Sequence, residues 1–278
     1  MRTPAGADGP SRTPLTDPPA REPYGRPVAA APAVPPAAGP GGATGDRRAP
    51  LPGEVPGEVP GVNVPDRRGR TGLDQAGRDL DGNPRVRVRE VDLLSSSWYV
   101  LRRTTFDYLR LDGSWTTQER ETYDRGNGAT VLLYDADRAT VLLIRQFRYP
   151  AYVNGHPDGF LLETAGGLLD DDDAETAIRR EASEETGYDI GEVRHVFDVY
   201  MSPGSVTERV HFFAAPYSPD RRTSEGGGLA DDGEEIELVE LPFAKALAMI
   251  ESGEIADAKT IMLLQWAALS GPFAGRDR

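Results

Sequence analysis

One stretch in the second half of the chain decides both the fold and the chemistry. It begins Glu163-Thr164-Ala165-Gly166-Gly167-Leu168-Leu169, continues through four aspartates at 170–173, and ends Ala174-Glu175-Thr176-Ala177-Ile178-Arg179-Arg180-Glu181-Ala182-Ser183-Glu184-Glu185-Thr186-Gly187-Tyr188. This order predicts a strand, a glycine loop and then a helix over 173–186. Asp172 and Glu175 resemble a capping pair at the start of the helix. Gly187 stands where a left-handed cap is expected to end it.

Three carboxylates of this helix lie close together. Glu181 and Glu185 are four residues apart and share a face, and Glu184 lies about 60° to the side. Arg180 precedes Glu184 by four residues and is placed to restrain its side chain. A charge run of this kind is often a solvated face with ion pairs. The alternative is a metal site, because repelling carboxylates beside glycine carbonyls offer the oxygen ligands that Mg²⁺ prefers.

The spacing of this stretch resembles the Nudix box, Gly-x5-Glu-x7-Arg-Glu-U-x-Glu-Glu-x-Gly-U, where U is apolar. Gly166 opens the match and the run from Arg180 to Tyr188 closes it. Asp172 stands where the family has Glu; if Gly167 is taken as the first glycine, Asp173 stands there instead. The family Glu is a loop and capping position, so the resemblance implies that activity survives this difference.

Flanking stretches are similar to the bacterial GDP-mannose pyrophosphatases of this superfamily, over about 93–269. These stretches are Tyr123-Asp124-Arg125-Gly126-Asn127-Gly128-Ala129, Ile144-Arg145-Gln146-Phe147-Arg148, Tyr200-Met201-Ser202-Pro203-Gly204, Thr207-Glu208, Gly226-Gly227-Gly228 and Asp257-Ala258-Lys259-Thr260. The resemblance implies hydrolysis of a nucleoside diphosphate sugar, GDP-mannose first, to GMP and mannose 1-phosphate. An ADP-ribose pyrophosphatase is the alternative enzyme, and a sensor that binds nucleotide sugars without hydrolysis is the alternative of another class.

The resemblance also implies a metal centre that holds Mg²⁺, with Mn²⁺ able to replace it. Its ligands would be the main-chain carbonyl of Gly166 and the carboxylates of Glu181, Glu185 and a loop acid. Glu234 is the first choice for that acid and Glu235 the reserve. Arg180 and Glu184 belong to the catalytic set in this interpretation, Glu184 as a further ligand or as a group that orients a metal water.

Substrate contacts follow from the same resemblance. Arg148 would contact the diphosphate, Glu208 the sugar or a water, and Lys259 a phosphate or sugar oxygen, while Trp98 would stack on guanine. The remaining expected contacts are Gly166, Gly167 and Leu168 from the same chain, with Arg120 and Glu121 from the partner subunit of a homodimer. Two alternatives remain open here: Arg148 and Lys259 as ordinary surface cations, and Trp98 as a core residue.

Residues 1–84 differ in composition from the rest of the chain. They hold 17 of the 24 prolines and 14 of the 31 glycines, with no Phe, Trp or Ile. Such a stretch buries too little apolar surface to offset the entropy of ordering, so a disordered leader is expected. The sequence does not separate a linker-like tail from a translation start placed too far upstream. The catalytic domain is then 85–278, and its N-terminal strands are expected to serve dimerisation.

Charge and residue usage exclude several classes of protein. The leader carries ten basic and ten acidic side chains, so the net charge of −14 falls on 85–278. A surface this negative repels nucleic acid and anionic lipid, so neither is an expected partner. The chain has no Cys, which excludes disulfides, thiolate metal sites and cysteine nucleophiles. Without a readable secretory signal or an apolar membrane span, the cytoplasm is the expected location.

Strand-like runs outnumber helical ones outside the box, which predicts an α+β fold. For the matched family this means an α/β/α sandwich of mixed sheets between helices. His195 and His211 lie in strand patterns and are expected to be packed or hydrogen-bonded, whereas the loop residue His156 is placed to approach substrate. The expected strands are 87–94, 98–110, 116–124, 128–134, 139–147, 159–164, 193–201, 206–215 and 234–241, and two further helices are expected at 243–251 and 258–269.

Overall fold

The computed structural model describes residues 59–80, 82–170, 172–228 and 235–275. The strands in these ranges are β1 (Asp74–Gln75), β2 (Arg78–Asp79), β3 (Val86–Ser96), β4 (Val100–Leu109), β5 (Trp115–Asp124), β6 (Gly128–Asp135), β7 (Thr140–Phe147), β8 (Phe160–Glu163), β9 (Ala165–Leu168), β10 (Arg194–Tyr200), β11 (Arg209–Pro216) and β12 (Ile236–Pro242). The helices are α1 (Tyr149–Val153), α2 (Ala174–Thr186), α3 (Phe243–Ser252) and α4 (Ala258–Leu269), and a 3₁₀ turn covers Pro219–Arg221.

The strands form three sheets. Strands β3, β4 and β5 make an antiparallel meander, and β1 pairs with β2 in a small ribbon. The largest sheet has seven strands in the order β10-β11-β6-β7-β12, with β9 paired to β6 and β8 paired to β7. Its β11–β6 pair is parallel and its other pairs are antiparallel, so the sheet is mixed.

Alternation along the central strands divides the core into two layers. On β6, Leu132 belongs to the cluster under α3 and α4, whereas its neighbours Val131 and Leu133 belong to the cluster under α2. Strand β7 alternates in the same way, with Leu143 on one side and Leu142 on the other. A strand buried on both faces reads as a continuous apolar run, as these two do. The α+β sandwich with mixed sheets is therefore confirmed.

Most expected elements are present within a few residues of their predicted ends. One α-helix and one strand of the catalytic domain were not predicted. The short helix α1 follows Arg148, and Ala165–Leu168, expected as a glycine loop, forms strand β9. Strand β4 begins at Val100, so Trp98 lies in the turn before it rather than in the strand. Within the described ranges, no helix is both long and apolar enough to cross a membrane.

For residues 59–80 the structure corrects the expectation of a disordered leader; residues 1–58 lie outside the described part. This segment packs on the β3-β4-β5 sheet, with Val62 5% exposed and the Val91 backbone nitrogen bonded to the Pro60 carbonyl at 3.0 Å. Asp66 is buried and accepts a hydrogen bond from Arg102, which is 1% exposed, at 2.9 Å. The segment is held by buried ionic contacts more than by apolar area, and composition does not reveal such contacts.

Candidate active site

Helix α2 is fixed at both ends. Its N-cap is Asp173, one residue later than the predicted Asp172, and the Asp173 carboxylate accepts hydrogen bonds from the backbone nitrogens of Glu175 and Thr176. Gly187 ends the helix in the left-handed conformation with φ of 75°, as predicted. The apolar side of the helix is buried on the large sheet through Ala177, Ile178 and Ala182. Its carboxylates are thereby held over strand β9.

Strand β9 carries two glycines at which an added Cβ would collide with a neighbouring element, β6 at one and α2 at the other. Gly166 pairs with Thr130 of β6, and a Cβ on it would lie 2.2 Å from the Ala129 carbonyl oxygen. A Cβ on Gly167 would lie 2.5 Å from the carboxylate carbon of Glu181. The first glycine therefore lets two backbones approach, and the second leaves room for a carboxylate.

Three of the glutamates of α2, those of the box, differ in burial and in partners. Glu185 is 2% exposed, and its Oε2 accepts a hydrogen bond from the Gly166 backbone nitrogen at 2.8 Å. Glu181 accepts from Arg180 at 3.1 Å and its side chain is 14% exposed. Glu184 lies at the more open edge, 3.7 Å from the same guanidinium and 31% exposed. Exposure to solvent therefore increases from Glu185 through Glu181 to Glu184.

Arg180 stands among four carboxylates. Its guanidinium nitrogens lie 3.1 Å from Glu181, 3.4 Å from Asp172, 3.7 Å from Glu184 and 3.8 Å from Asp170. Burial opposes its charge, but Glu181 and Glu184 hold the pKa of Arg180 above its usual value. One cation among four carboxylates leaves a local excess of negative charge. The donors are hard oxygens, so the set fits a divalent cation such as Mg²⁺.

A second charged network lies behind Glu185. Glu163, 2% exposed, accepts both a 2.7 Å and a 3.0 Å hydrogen bond from Arg148. Lys259 lies 3.5 Å from the same carboxylate and donates to Asp257 at 2.6 Å. Burial opposes the charges of Arg148 and Lys259, but Glu163 and Asp257 hold the pKa of each cation above its usual value. Neither residue is an ordinary surface cation.

Sequence reasoning missed the two acids of this network as functional residues. Glu163 directly precedes the box, and Asp257 caps α4 by accepting a hydrogen bond from the Thr260 nitrogen. The Thr260 hydroxyl oxygen in turn accepts from the Thr164 nitrogen at 2.7 Å, so α4 is tied to the start of β9. Both acids lie inside or beside stretches that carry the family resemblance, and that position was the available signal.

A polar groove of about 700 Å³ runs beside the far end of β9. Trp98, 72% exposed, stands on one wall, which rules out the core alternative within this chain. Leu168 also lines the groove, and Arg67 from the segment before β1 adds a cation. Glu208 lies nearby: its Oε1 is 3.3 Å from Arg125 and 3.8 Å from the position of a Cβ on Gly128, the partner of Leu168.

Two expected residues, Arg120 and Glu121, are not brought to this site within the chain. Arg120 and Glu121 lie on β5, exposed, where Arg120 donates to the Glu119 carbonyl and the Gln118 side chain. The loop acid Glu234 lies outside the described residues, and the reserve Glu235 is exposed just before β12.

The glycine run before that loop does reach α2. Gly227 donates to the Glu185 carbonyl at 2.9 Å and Gly228 to the Glu184 carbonyl at 3.2 Å. Ile236, at the start of β12, donates to the Gly227 carbonyl at 3.2 Å. The described residues on both sides of 229–234 are therefore anchored at the C-terminal end of α2.

The histidines are hydrogen-bonded, as predicted for His195 and His211, which both contact Asp198. His156 accepts a hydrogen bond from the Gly159 nitrogen at 3.0 Å within its own loop. In the described part of the chain, His195, Asp198 and His211 are the one group whose ligand atoms all lie within 4.8 Å of one another. Within the same described residues, Glu181, Glu184 and Glu185 do not form a group of this kind.

The fold and the carboxylates of helix α2 define a class of protein. The NUDIX domain family model matches residues 124–264, and the model described as the GDP-mannose pyrophosphatase NudK N-terminal domain matches 85–123. The chain belongs to the NUDIX family.

Individual relatives of this chain carry names that are more specific than the family name. A protein of Klebsiella pneumoniae subsp. pneumoniae named GDP-mannose pyrophosphatase is 54% identical over 190 residues, which are 68% of this chain and 95% of that protein. One of the same name from Yersinia enterocolitica is 57% identical over 180 residues, 65% of this chain and 93% of that protein. Among solved structures, one described as an ADP compounds hydrolase has a TM-score of 0.52 at 17% identity, covering 66% of this chain and 94% of that one. That likeness shows the fold alone.

Proposed function

We propose that this chain hydrolyses the diphosphate bond of GDP-mannose, releasing GMP and mannose 1-phosphate. The observation that carries the proposal is the set of Glu181, Glu184 and Glu185 on α2, with Glu185 bonded to the backbone of Gly166. The names of relatives more than half identical in sequence support the choice of substrate. We further propose that the enzyme acts as a homodimer in the cytoplasm.

Glu181 and Glu185 would hold Mg²⁺ together with the Gly166 carbonyl, and Glu184 would complete or orient the set. Mn²⁺ would replace Mg²⁺ because both accept oxygen ligands. The ion would neutralise diphosphate charge and polarise the phosphorus–oxygen bonds. Arg180 restrains Glu181 and Glu184 without cancelling the negative charge of the site, since two aspartates also face it. Glu181 and Glu184 are therefore oriented by one shared guanidinium.

Arg148 and Lys259 would bind the diphosphate. Both are preoriented by Glu163, whose two oxygens hold Arg148 in a bidentate pair. A cation fixed before the substrate arrives loses little side-chain entropy on binding. The negatively charged diphosphate would thus meet two cations that Glu163 already holds in place. The net charge of −14 of the whole protein would otherwise repel it.

The groove beside β9 would take the nucleoside. The exposed Trp98 ring offers a surface for base stacking, and Glu208 would accept hydrogen bonds from the sugar or a water. Gly167 and Leu168 would line the passage between groove and metal. Arg120 and Glu121 would enter from the partner subunit. Glu234 would act as the loop acid, because the residues flanking its loop are anchored on α2.

Product analysis tests this proposal. The purified full chain is incubated with GDP-mannose and Mg²⁺, and products are resolved by ³¹P NMR. Cleavage of the diphosphate gives GMP and mannose 1-phosphate, and chelation of Mg²⁺ by EDTA abolishes it. Appearance of GDP and free mannose would instead mean cleavage between the diphosphate and the sugar. Tight binding of GDP-mannose without any turnover would identify a sensor rather than an enzyme.

A further inference from the structure

A cluster of two histidines and an aspartate lies on the hairpin of β10 and β11, outside the site described above. Asp198 and His211 are directly paired across the two antiparallel strands. His195 precedes Asp198 by three residues, and in a regular strand these two side chains would point to opposite faces. The register shifts between His195 and Phe197, which adds one residue to β10. The bulge therefore turns His195 onto the face that carries Asp198 and His211.

The three side chains converge on one carboxylate oxygen. Asp198 Oδ1 lies 2.8 Å from His195 Nε2 and 2.7 Å from His211 Nδ1. His195 packs edge-on against Phe213, with ring centroids 5.4 Å apart. The His211 side chain is 14% exposed, whereas His195 at 52% leaves the cluster open to solvent. The ligands are thus preoriented, and an ion can reach them.

We propose that His195, Asp198 and His211 bind a transition-metal ion of the Zn²⁺ class. Two imidazole nitrogens and one carboxylate oxygen suit Zn²⁺ and its neighbours, whereas Mg²⁺ prefers oxygen ligands throughout. Donor atoms within 4.8 Å of one another can share one ion at about 2.0–2.2 Å from each after small side-chain rotations. Water would fill the open positions on the solvent side.

The proposed site is distinct from the carboxylates of α2 but lies on the same face of the sheet. His211 pairs with Ala129 of β6, and Ala129 pairs with Gly167 of β9. Two strand spacings put the backbones of His211 and Gly167 about 10 Å apart. Ala129 and Phe213 both belong to the cluster packed under α2. A metal here would link the edge strand β10 to β11 beside the catalytic helix.

The competing explanation is that the cluster is purely structural and serves only to hydrogen-bond the two strands together. Burial opposes the charge of Asp198, but hydrogen bonds from both histidines hold its pKa below its usual value. An ionised aspartate between two rings already steadies the hairpin, and no metal is required for that. The two roles differ in one respect, because only a metal site binds an added ion with defined stoichiometry and defined ligands.

Co²⁺ is a suitable probe, since its visible absorption reports imidazole coordination. The full chain is titrated with Co²⁺ in excess Mg²⁺, which occupies oxygen-only sites. We expect one Co²⁺ with an imidazole-type spectrum in the wild type and in Glu185→Gln. Removal of a ligand in His195→Ala or Asp198→Ala is expected to weaken binding by at least about 100-fold, since even outer-shell changes cost 10–100-fold. His156→Ala is the matched histidine control and should bind as the wild type does.

Equal Co²⁺ affinity in the wild type, His195→Ala and Asp198→Ala would overturn the proposal, as would the absence of an imidazole-type spectrum in the wild type. GDP-mannose turnover with Mg²⁺ is measured on the same samples. We expect His195→Ala to keep this turnover and Glu185→Gln to lose it. The two readouts therefore fail independently: a wrong hydrolase assignment does not affect Co²⁺ binding, and an absent second metal does not affect turnover.

Discussion

The carboxylate of Glu185 accepts a hydrogen bond from the backbone nitrogen of Gly166, with 2.8 Å between Oε2 and N. This contact joins the helix that carries the acidic ligands to the strand that lies against it. Glu185 is 2% exposed, and a charge buried to this degree requires partners. The backbone supplies one partner, and a bound cation at the neighbouring oxygens would supply another.

Glu185→Gln tests the charge of this residue separately from its hydrogen bond. The amide oxygen of Gln can still accept from the Gly166 nitrogen, so the fold should persist. We expect kcat with Mg²⁺ and GDP-mannose to fall by at least about 100-fold, the usual scale for losing one electrostatic contact in a catalytic site. Glu175→Gln on the same helix is the matched control, because its exposed pair with Arg179 lies away from the site. Equal rates for both variants would contradict the role of Glu185.

Alanine at the two glycines of β9 should separate catalysis from folding. In Gly167→Ala the new methyl meets the end of the Glu181 side chain, which can rotate away. We expect a folded protein with strongly reduced turnover. In Gly166→Ala the methyl meets the Ala129 backbone at 2.2 Å, and overpacking should cost about 1–3 kcal/mol of unfolding free energy. Urea unfolding and turnover are measured together, with Gly82→Ala, which has open space around it, as control.

Arg148→Lys should impair substrate binding although the charge is kept. Lysine cannot reproduce the bidentate pair with Glu163, so the cation would lose its orientation. We expect kcat/KM for GDP-mannose to fall about 10-fold or more, on the scale of one charge-assisted hydrogen bond. Arg138→Lys is the control, since Arg138 makes a comparable two-point pair with Glu240 on the exposed surface. A loss of the same size in both variants would point to a general effect on folding.

The ion pair between Asp66 and Arg102 predicts a dependence of stability on acid pH. Burial opposes the Asp66 charge, but hydrogen bonds from Arg68, Arg102 and the backbone lower its pKa from 3.8 to about 2. A lowered native pKa stabilises the fold above pH 3.8, and this stabilisation is lost as the pH falls towards 2. The difference corresponds to about 2 kcal/mol of unfolding free energy.

Asp66→Asn removes the titrating group and tests this prediction. At neutral pH the variant should be destabilised by about 3–5 kcal/mol, because Arg102 keeps a buried charge without its carboxylate. Its stability should then change less than that of the wild type between pH 3.8 and 2. Denaturant unfolding at several pH values measures both effects. Parallel pH profiles of the two proteins would show that Asp66 does not contribute this dependence.

Much of the site was predictable because α2 is encoded locally. The apolar side through Ile178 and the shared face of Glu181 and Glu185 follow from a period of 3.6 residues. The cap at Gly187 follows from the ability of glycine to adopt the left-handed conformation. The pairing of β9 with β6 was not predictable, because glycines carry no strand signal and the strand is fixed by a partner about 35 residues away.

The segment 59–80 was missed for a different reason. Its composition correctly indicates little apolar burial. Composition does not show that the Asp66 carboxylate accepts a 2.9 Å hydrogen bond from Arg102, which is distant in sequence. Pairings of this kind depend on tertiary structure and leave no periodic trace in the sequence. Glu163 was visible only as a neighbour of the box, since its role depends on Arg148 and Lys259 from other elements.

Competition among nucleotide sugars is the most direct test of the central claim. The full chain with Mg²⁺ is offered GDP-mannose, ADP-ribose and UDP-glucose at equal concentrations, and the three nucleoside monophosphates are quantified at early times. We expect GMP to predominate, because kcat/KM governs competition and the groove beside Trp98 is assigned to guanine. Predominance of AMP would keep the metal site and contradict the assignment of GDP-mannose as substrate.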